Sequence, residues 1–207
     1  MRLKHTLLPW LLLTVLLFVC LLPEAHAANN MPLIVDNAGI LTADETASLL
    51  EKAESVSREY ACDVAVVFVR GLGGKSIMNY TDDFFDDNGY GYGGTRDGVM
   101  LLVDVHGREY WISTSGFGID AFTDAGQLYL KDLFVSYLSS SDWAGAADAF
   151  ISGCARFLRQ ARNGRPYDVG NMPKNSFNPF ALLSDLVAGL LLGGLPLRRA
   201  KKEMENV

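Results

Sequence analysis

The residues with chemical potential crowd into one stretch, Asp82 to Asp124. It holds Asp82, Asp83, Asp86 and Asp87, then the loop Gly89-Tyr90-Gly91-Tyr92-Gly93-Gly94-Thr95-Arg96-Asp97, and finally Gly116-Phe117-Gly118-Ile119-Asp120-Ala121-Phe122-Thr123-Asp124. Carboxylates on turns, beside a glycine-rich backbone able to turn carbonyls inward, are the donors that hard divalent cations select. Asp86 to Asp97 has the length of an EF-hand loop, with Gly91 at its turn, but tyrosines fill two ligand places and the last place holds Asp97 instead of glutamate. The EF-hand reading is therefore rejected. Turn and helix-cap chemistry uses the same residue types, and for Asp124 capping the next helix competes directly with metal binding.

Nucleophilic catalysis finds little support. Cys154 to Arg159 lacks the spacing and glycine loop of a cysteine phosphatase. His106 stands in a short turn, and Ser113, Thr114 and Ser115 have no base in sequence to activate them. The polar chemistry open to the chain is cation binding, or hydrolysis of a phosphate ester with aspartates holding an ion and Arg96 steadying the phosphate. Tyr90 and Tyr92 on the loop suit contact with a partner protein.

The elements around this stretch are legible from periodicity. Thr42 followed by Glu45 forms a capping box that opens a helix with Leu49, Leu50, Ala53, Val56 and Tyr60 on one face. Val64 to Val69 is continuously apolar and reads as a strand buried on both faces. Ser76 caps a second helix with Ile77, Tyr80, Phe84 and Phe85 inward; its acidic end opposes the helix dipole and needs Arg96, a cation or solvent to compensate. Gly98–Val105 and Glu109–Thr114 form an antiparallel hairpin around His106-Gly107-Arg108. A helix from about Asp124 buries Leu130, Leu133, Phe134 and Tyr137. The last helix, from about Asp142, carries a stripe that runs from Trp143 through Phe150, Cys154 and Phe157 to Ala161. Strands alternating with helices that must cover two faces predict an α/β fold, a three-layer α/β/α sandwich with a mixed sheet.

The two ends address the protein. Arg2 and Lys4, the apolar run Leu7–Leu22 and Ala25-His26-Ala27 have the three parts of a cleavable signal peptide over residues 1–27. Residues 163–178, rich in glycine and proline, read as a linker. Residues 179–197 are almost wholly apolar and precede Arg198-Arg199-Ala200-Lys201-Lys202, which predicts a transmembrane helix with a cytoplasmic tail over 198–207. Asp185 and the Gly193-Gly194 pair also allow an amphipathic or core helix. The chain carries a formal charge of −6, and the excess of acid is larger still between Ala28 and Phe177. Nucleic acid, whose phosphates require a basic face, is excluded as a partner. In an oxidising compartment Cys62 and Cys154 can form one disulfide; two buried free thiols are the alternative.

Several of these motifs recur together. Val35-Asp36-Asn37-Ala38-Gly39-Ile40-Leu41-Thr42, the valine-rich strand after Cys62, the Gly89–Gly93 loop, Asp97-Gly98-Val99-Met100-Leu101-Leu102-Val103 and Gly116–Asp124 resemble the TPM domain family over residues 32–160. The resemblance implies an extracytoplasmic α/β/α domain tethered by a signal or membrane helix. It also implies calcium or magnesium at acidic loops, with Asp36, Asp97, Asp120 and Asp124 at the family's positions. Asp97 replaces a common asparagine and Asp120 a usual glutamate. Some members are described as acid phosphatases, others as accessory factors of membrane complexes. The expectation is a membrane-tethered, cation-binding interaction module with an envelope or membrane protein as partner, and the alternative is a weak metal-dependent acid phosphatase.

Overall fold

Alternating apolar runs and capped amphipathic segments build a mixed four-stranded sheet with five helices in this computed structural model, which describes residues 31–173. In chain order these are β1 (Ile34–Asp36), α1 (Ala43–Tyr60), β2 (Asp63–Val69), α2 (Ile77–Asp87), β3 (Gly98–Asp104), β4 (Glu109–Ser115), α3 (Phe117–Ala121), α4 (Asp124–Ser139) and α5 (Trp143–Arg162). The sheet order is β1-β2-β3-β4; the first three strands are parallel and β4 is antiparallel to β3.

The registers explain why β2 reads as unbroken apolar sequence. It pairs with β1 on one side and β3 on the other, and all seven of its residues are buried. A central parallel strand has no wet face, and each fully buried valine contributes roughly 1.5–3 kcal/mol. Val64, Val66 and Phe68 share a face with Val99, Leu101 and Val103 and with Tyr110 and Ile112, because paired residues point the same way. On that face Phe68 meets Trp143 of α5 edge-on, with ring centroids 6.4 Å apart, and Tyr110 meets Phe134 of α4 at 5.3 Å. The helix α1 packs beside α5, where Lys52 bonds Asp148 and the Ser152 hydroxyl (2.6 Å). The opposite face carries Gly98 and α2: a side chain added at Gly98 would strike the Phe85 ring at 2.9 Å. Helices therefore cover both faces, as the sequence predicts.

Ile34–Asp36 is a strand and Gly116–Asp124 contains the short α3, two elements that periodicity does not mark. Tyr137, expected in the core, is 41% exposed. The first residues of the predicted linker fold back: the Thr123 hydroxyl donates to the Tyr167 carbonyl (2.9 Å), and the Tyr167 ring meets Phe157 at 5.0 Å. The predicted signal peptide, the transmembrane helix at 179–197 and the tail lie outside the described residues. Among the described residues no helix is long and apolar enough to cross a membrane.

Candidate functional site

The loop between α2 and β3 is built from the inside out. Tyr90 is fully buried, stacked near Phe84 (6.1 Å) and tilted against Phe85 (6.0 Å), and its hydroxyl donates to the Pro32 carbonyl at 2.9 Å. Burial, and then the charge of Asp63, push its phenol up to about 12. This corrects the expectation of a partner-contacting Tyr90. Tyr92 is half-buried and is held by backbone bonds in both directions with Asp97 (2.8 and 3.1 Å). Gly91 sits at φ +112°, where a Cβ would lie 2.6 Å from the Arg96 backbone, so the turn admits only glycine.

Arg96 takes the place predicted for a compensating charge at the end of α2. Its Nε donates to the Tyr90 carbonyl (3.1 Å) and its Nη2 to the Phe85 carbonyl (3.3 Å). Its Nη1 pairs with Asp86 at 3.1 Å, and the guanidinium stands 5.5 Å from the centroid of the Phe85 ring. All three nitrogens are engaged in closing the helix, which commits three of the five guanidinium donors there.

The four candidate aspartates do not converge. Asp36 ends β1 opposite Phe68, and its carboxylate accepts from Ala38 N–H (3.1 Å), Ile40 N–H and Leu41 N–H (both 2.8 Å). Asp97 precedes Gly98, which pairs with Asp63 at the other end of β2. At about 3.3 Å per residue the two lie roughly 16 Å apart along the strand, too far to share an ion. Asp97 accepts from the Phe117 N–H at 2.8 Å and so fixes the turn from β4 into α3. Asp120 on α3 and Asp124 in the first turn of α4 are exposed; Thr123, not Asp124, is the N-cap, its hydroxyl accepting from Gly126 N–H at 3.1 Å. Among the described residues no group of three or more His, Cys, Asp or Glu could hold a metal ion.

The expected disulfide is absent: Cys62 and Cys154 are free thiols, both fully buried. Burial, with the charges of Asp97 and Asp63, pushes Cys62 up to about 12; Cys154 is raised by burial and by the neighbouring Cys62. Their local role is core packing, the alternative that the sequence left open.

Two carboxylates that motif reading missed are buried instead. Asp63 accepts from Gly91 N–H at 2.9 Å and holds the glycine loop to β2. Asp104, at the far end of β3, accepts from Gly71 N–H (2.8 Å) and His106 N–H (3.0 Å). Burial pushes its carboxyl up, but amide bonds from Gly71, Gly107 and His106 outweigh that and hold it below its ordinary value. His106 itself is an exposed hairpin residue.

What faces outward is the edge of the sheet. The strand β4 pairs with β3 through seven consecutive residues, and among the described residues no other element hydrogen-bonds its outer side. Trp111 on this strand is 38% exposed and Leu128 on the adjoining α4 is 63% exposed. Between them runs a groove of about 340 Å³ lined by Tyr110, Trp111, Ile112, Asp124, Gln127, Leu128 and Lys131. A larger open hollow of about 770 Å³ lies across α1, α4 and α5, with Leu49, Leu133 and Tyr137 among charged residues.

Known proteins share this arrangement. A family model described as the TPM domain matches residues 34–157, more than half of the chain. The UPF0603 protein YdjH of Bacillus subtilis is 24% identical over 164 residues; that match covers 78% of this chain and 58% of the relative, so the chain spans well under two thirds of that protein's length. The N-terminal domain of a P. gingivalis protein, solved by NMR, superposes with a TM-score of 0.56 at 17% identity, covering 70% of this chain and 93% of that one. The N-terminal domain of the cg2496 protein of Corynebacterium glutamicum gives 0.52 at 19% identity, covering 73% and 93%. The BA42 protein of Bizionia argentinensis gives 0.51 at 15% identity, covering 65% and 90%. At such identities the structural likeness speaks for the fold alone. The family match, which spans the sheet and its loops, places this chain in the TPM domain family.

Proposed function

We propose that the chain is a membrane-tethered interaction module of the cell envelope, whose TPM domain works outside the cytoplasm and presents the β4 edge to protein partners. One observation carries this reading: a seven-residue edge strand that no other element pairs among the described residues, with Trp111 exposed beside an apolar groove. Such an edge offers backbone groups for strand addition and a groove for alternate side chains. The leader-like start and the apolar segment before the basic tail support the tether. A photo-crosslinking residue at position 111 of the full chain, in membranes of its own host, is expected to give an adduct, whereas the same probe at exposed Glu51 on α1 is not. If position 111 gives no adduct, the reading falls.

Calcium or magnesium belongs to this proposal as a stiffener of the segment next to the edge. It rests on the family resemblance and on Asp120 and Asp124, the two candidate carboxylates that face solvent. Binding to the native state must raise the thermal midpoint by mass action. The midpoint of the full chain should rise with either ion, and the rise should vanish in Asp120→Asn/Asp124→Asn; no rise in the parent protein removes the cation from the proposal. Phosphate-ester hydrolysis, the alternative, would need aspartates gathered around an ion and an arginine free for phosphate. With Arg96 engaged and Asp36 far from Asp97, the geometry favours the interaction module.

A further inference from the structure

The two edges of the sheet are treated differently by the sequence. The strand β1 is three residues long and begins two residues after Pro32, both devices that blunt an edge against another chain. The strand β4 is seven residues long and pairs with β3 without a bulge. It contains no lysine, arginine or proline, and its one charge is Glu109 at its first position. Natural proteins leave an edge this bare where something covers it.

We infer that the occupant is a second copy of this chain, with β4 pairing antiparallel to its own counterpart across a twofold axis at Ile112. The inference rests on the interaction reading above and names the partner at that same edge. The order Glu109-Tyr110-Trp111-Ile112-Ser113-Thr114-Ser115 places large side chains in the first half and small ones in the second. An antiparallel self-pairing centred on Ile112 sets Trp111 opposite Ser113 of the second copy, Tyr110 opposite Thr114 and Glu109 opposite Ser115. Trp111 and Tyr110 then each meet a small residue, and Ile112 meets its own copy on the axis. The only charge meets a hydroxyl, so no like charges face each other, which directly opposed pairs penalise. A parallel pairing sets each residue against its own copy and loses this match, and a register centred on Ser113 pairs only five of the seven residues of β4, whereas the axis at Ile112 uses all seven. The same operation keeps the α4 faces on one side of the joined sheet and runs the two α4 helices antiparallel, Leu128 toward Leu128. It also brings the acidic start of α4 at Asp124 toward Lys131 of the second copy. The groove lined by Tyr110, Ile112 and Leu128 closes, and the interface is isologous, as a closed dimer requires.

The full chain, purified in detergent, tests this by sedimentation velocity over a range of concentrations. A protein mass of twice the chain is expected, and Trp111→Lys should halve it while leaving the circular dichroism spectrum unchanged. Oxidative crosslinking of Ile112→Cys provides the second measurement and needs no disruptive change. Opposed residues in an antiparallel pair lie about 4.5–5.5 Å apart at Cα, within the reach of a disulfide; Cys62 and Cys154 are buried, and Cys20 is replaced by serine in every variant tested. Ile112→Cys should therefore form a covalent dimer with itself. Trp111→Cys alone should not, because its own copy lies two residues away along the partner strand; adding Ser113→Cys should restore crosslinking. A chain that stays monomeric at every concentration overturns the inference. So does a dimer that survives Trp111→Lys and leaves Ile112→Cys uncrosslinked, since it is held elsewhere. The photo-adduct at position 111 separates the two claims. An adduct with a different protein ends the dimer and keeps the interaction module, and the absence of any adduct ends both.

Discussion

Asp104 shows how a single carboxylate can be structural without any motif to announce it. Its oxygens satisfy amide donors from the β2–α2 connection and from the β3–β4 hairpin, tying two loops to one strand end. Asp104→Ala should destabilise the fold by about 1–3 kcal/mol, the usual penalty for orphaned buried donors, measured by urea unfolding. Tyr90 and Cys62 act at the other end of the pH scale. Both are held protonated by burial, from ordinary values of 10.0 and 9.0 up to about 12. A group whose folded pKa is raised stabilises fully below its unfolded value, and that contribution is lost as pH rises through the folded one. The thermal midpoint should therefore fall between pH 9 and about 12, and Tyr90→Phe should fall less steeply above pH 10 than the parent. An equal slope in the two proteins would show that the phenol does not contribute. Sequence could not separate these residues from exposed neighbours. Tyr90 sits in a glycine-rich loop that reads as surface, and its burial follows from Phe84, Phe85 and the distant Pro32 carbonyl meeting there.

At the scale of elements, local chemistry was read well wherever it was self-contained. The capping box of Thr42 and Glu45, the Ser76 cap, the β3–β4 hairpin and the stripe of α5 all form as their residues dictate. Where an element depends on tertiary neighbours, sequence was silent. The short strand β1 exists because β2 offers it a parallel edge, and α3 because its backbone lies directly on the start of β3. A Cβ at Gly118 would stand 2.1 Å from the Gly98 carbonyl oxygen. Gly118→Ala should thus push α3 off the sheet and lower stability by about 1–3 kcal/mol, the range for overpacking, whereas Gly94→Ala, which meets nothing, should change little. The end of α2 was legible as a problem, acidic side chains against a helix dipole, and Arg96 was among the answers foreseen. Its full commitment to carbonyls and to Asp86 needed the geometry. Arg96→Met should loosen the Gly89–Asp97 loop, and hydrogen exchange at Tyr92 and Asp97 amides would show it as lost protection.

For the whole molecule, the sequence crowds three of the four candidate aspartates into one stretch, which suggests one cation site, and the fold separates Asp36 from Asp97 at opposite ends of the sheet. Spacing along a chain cannot show which strand ends coincide, so a pooled ligand set was the natural misreading. The open edge was equally hidden, because β4 becomes an edge only through the strand order. Ala61, which ends α1 in a left-handed turn, has its carbonyl and that of Tyr60 capped by Arg162 from the last turn of α5, at 2.7 to 3.2 Å, and the same guanidinium lies 3.7 Å from the centroid of the Phe117 ring. The first helix is thus finished by a residue about a hundred positions later. In a chain that emerges N-terminus first, these bonds at the end of α1 can form only once Arg162 has been delivered. Nascent chains stopped before Arg162 should therefore be more protease-sensitive at the end of α1 than those stopped beyond Met172.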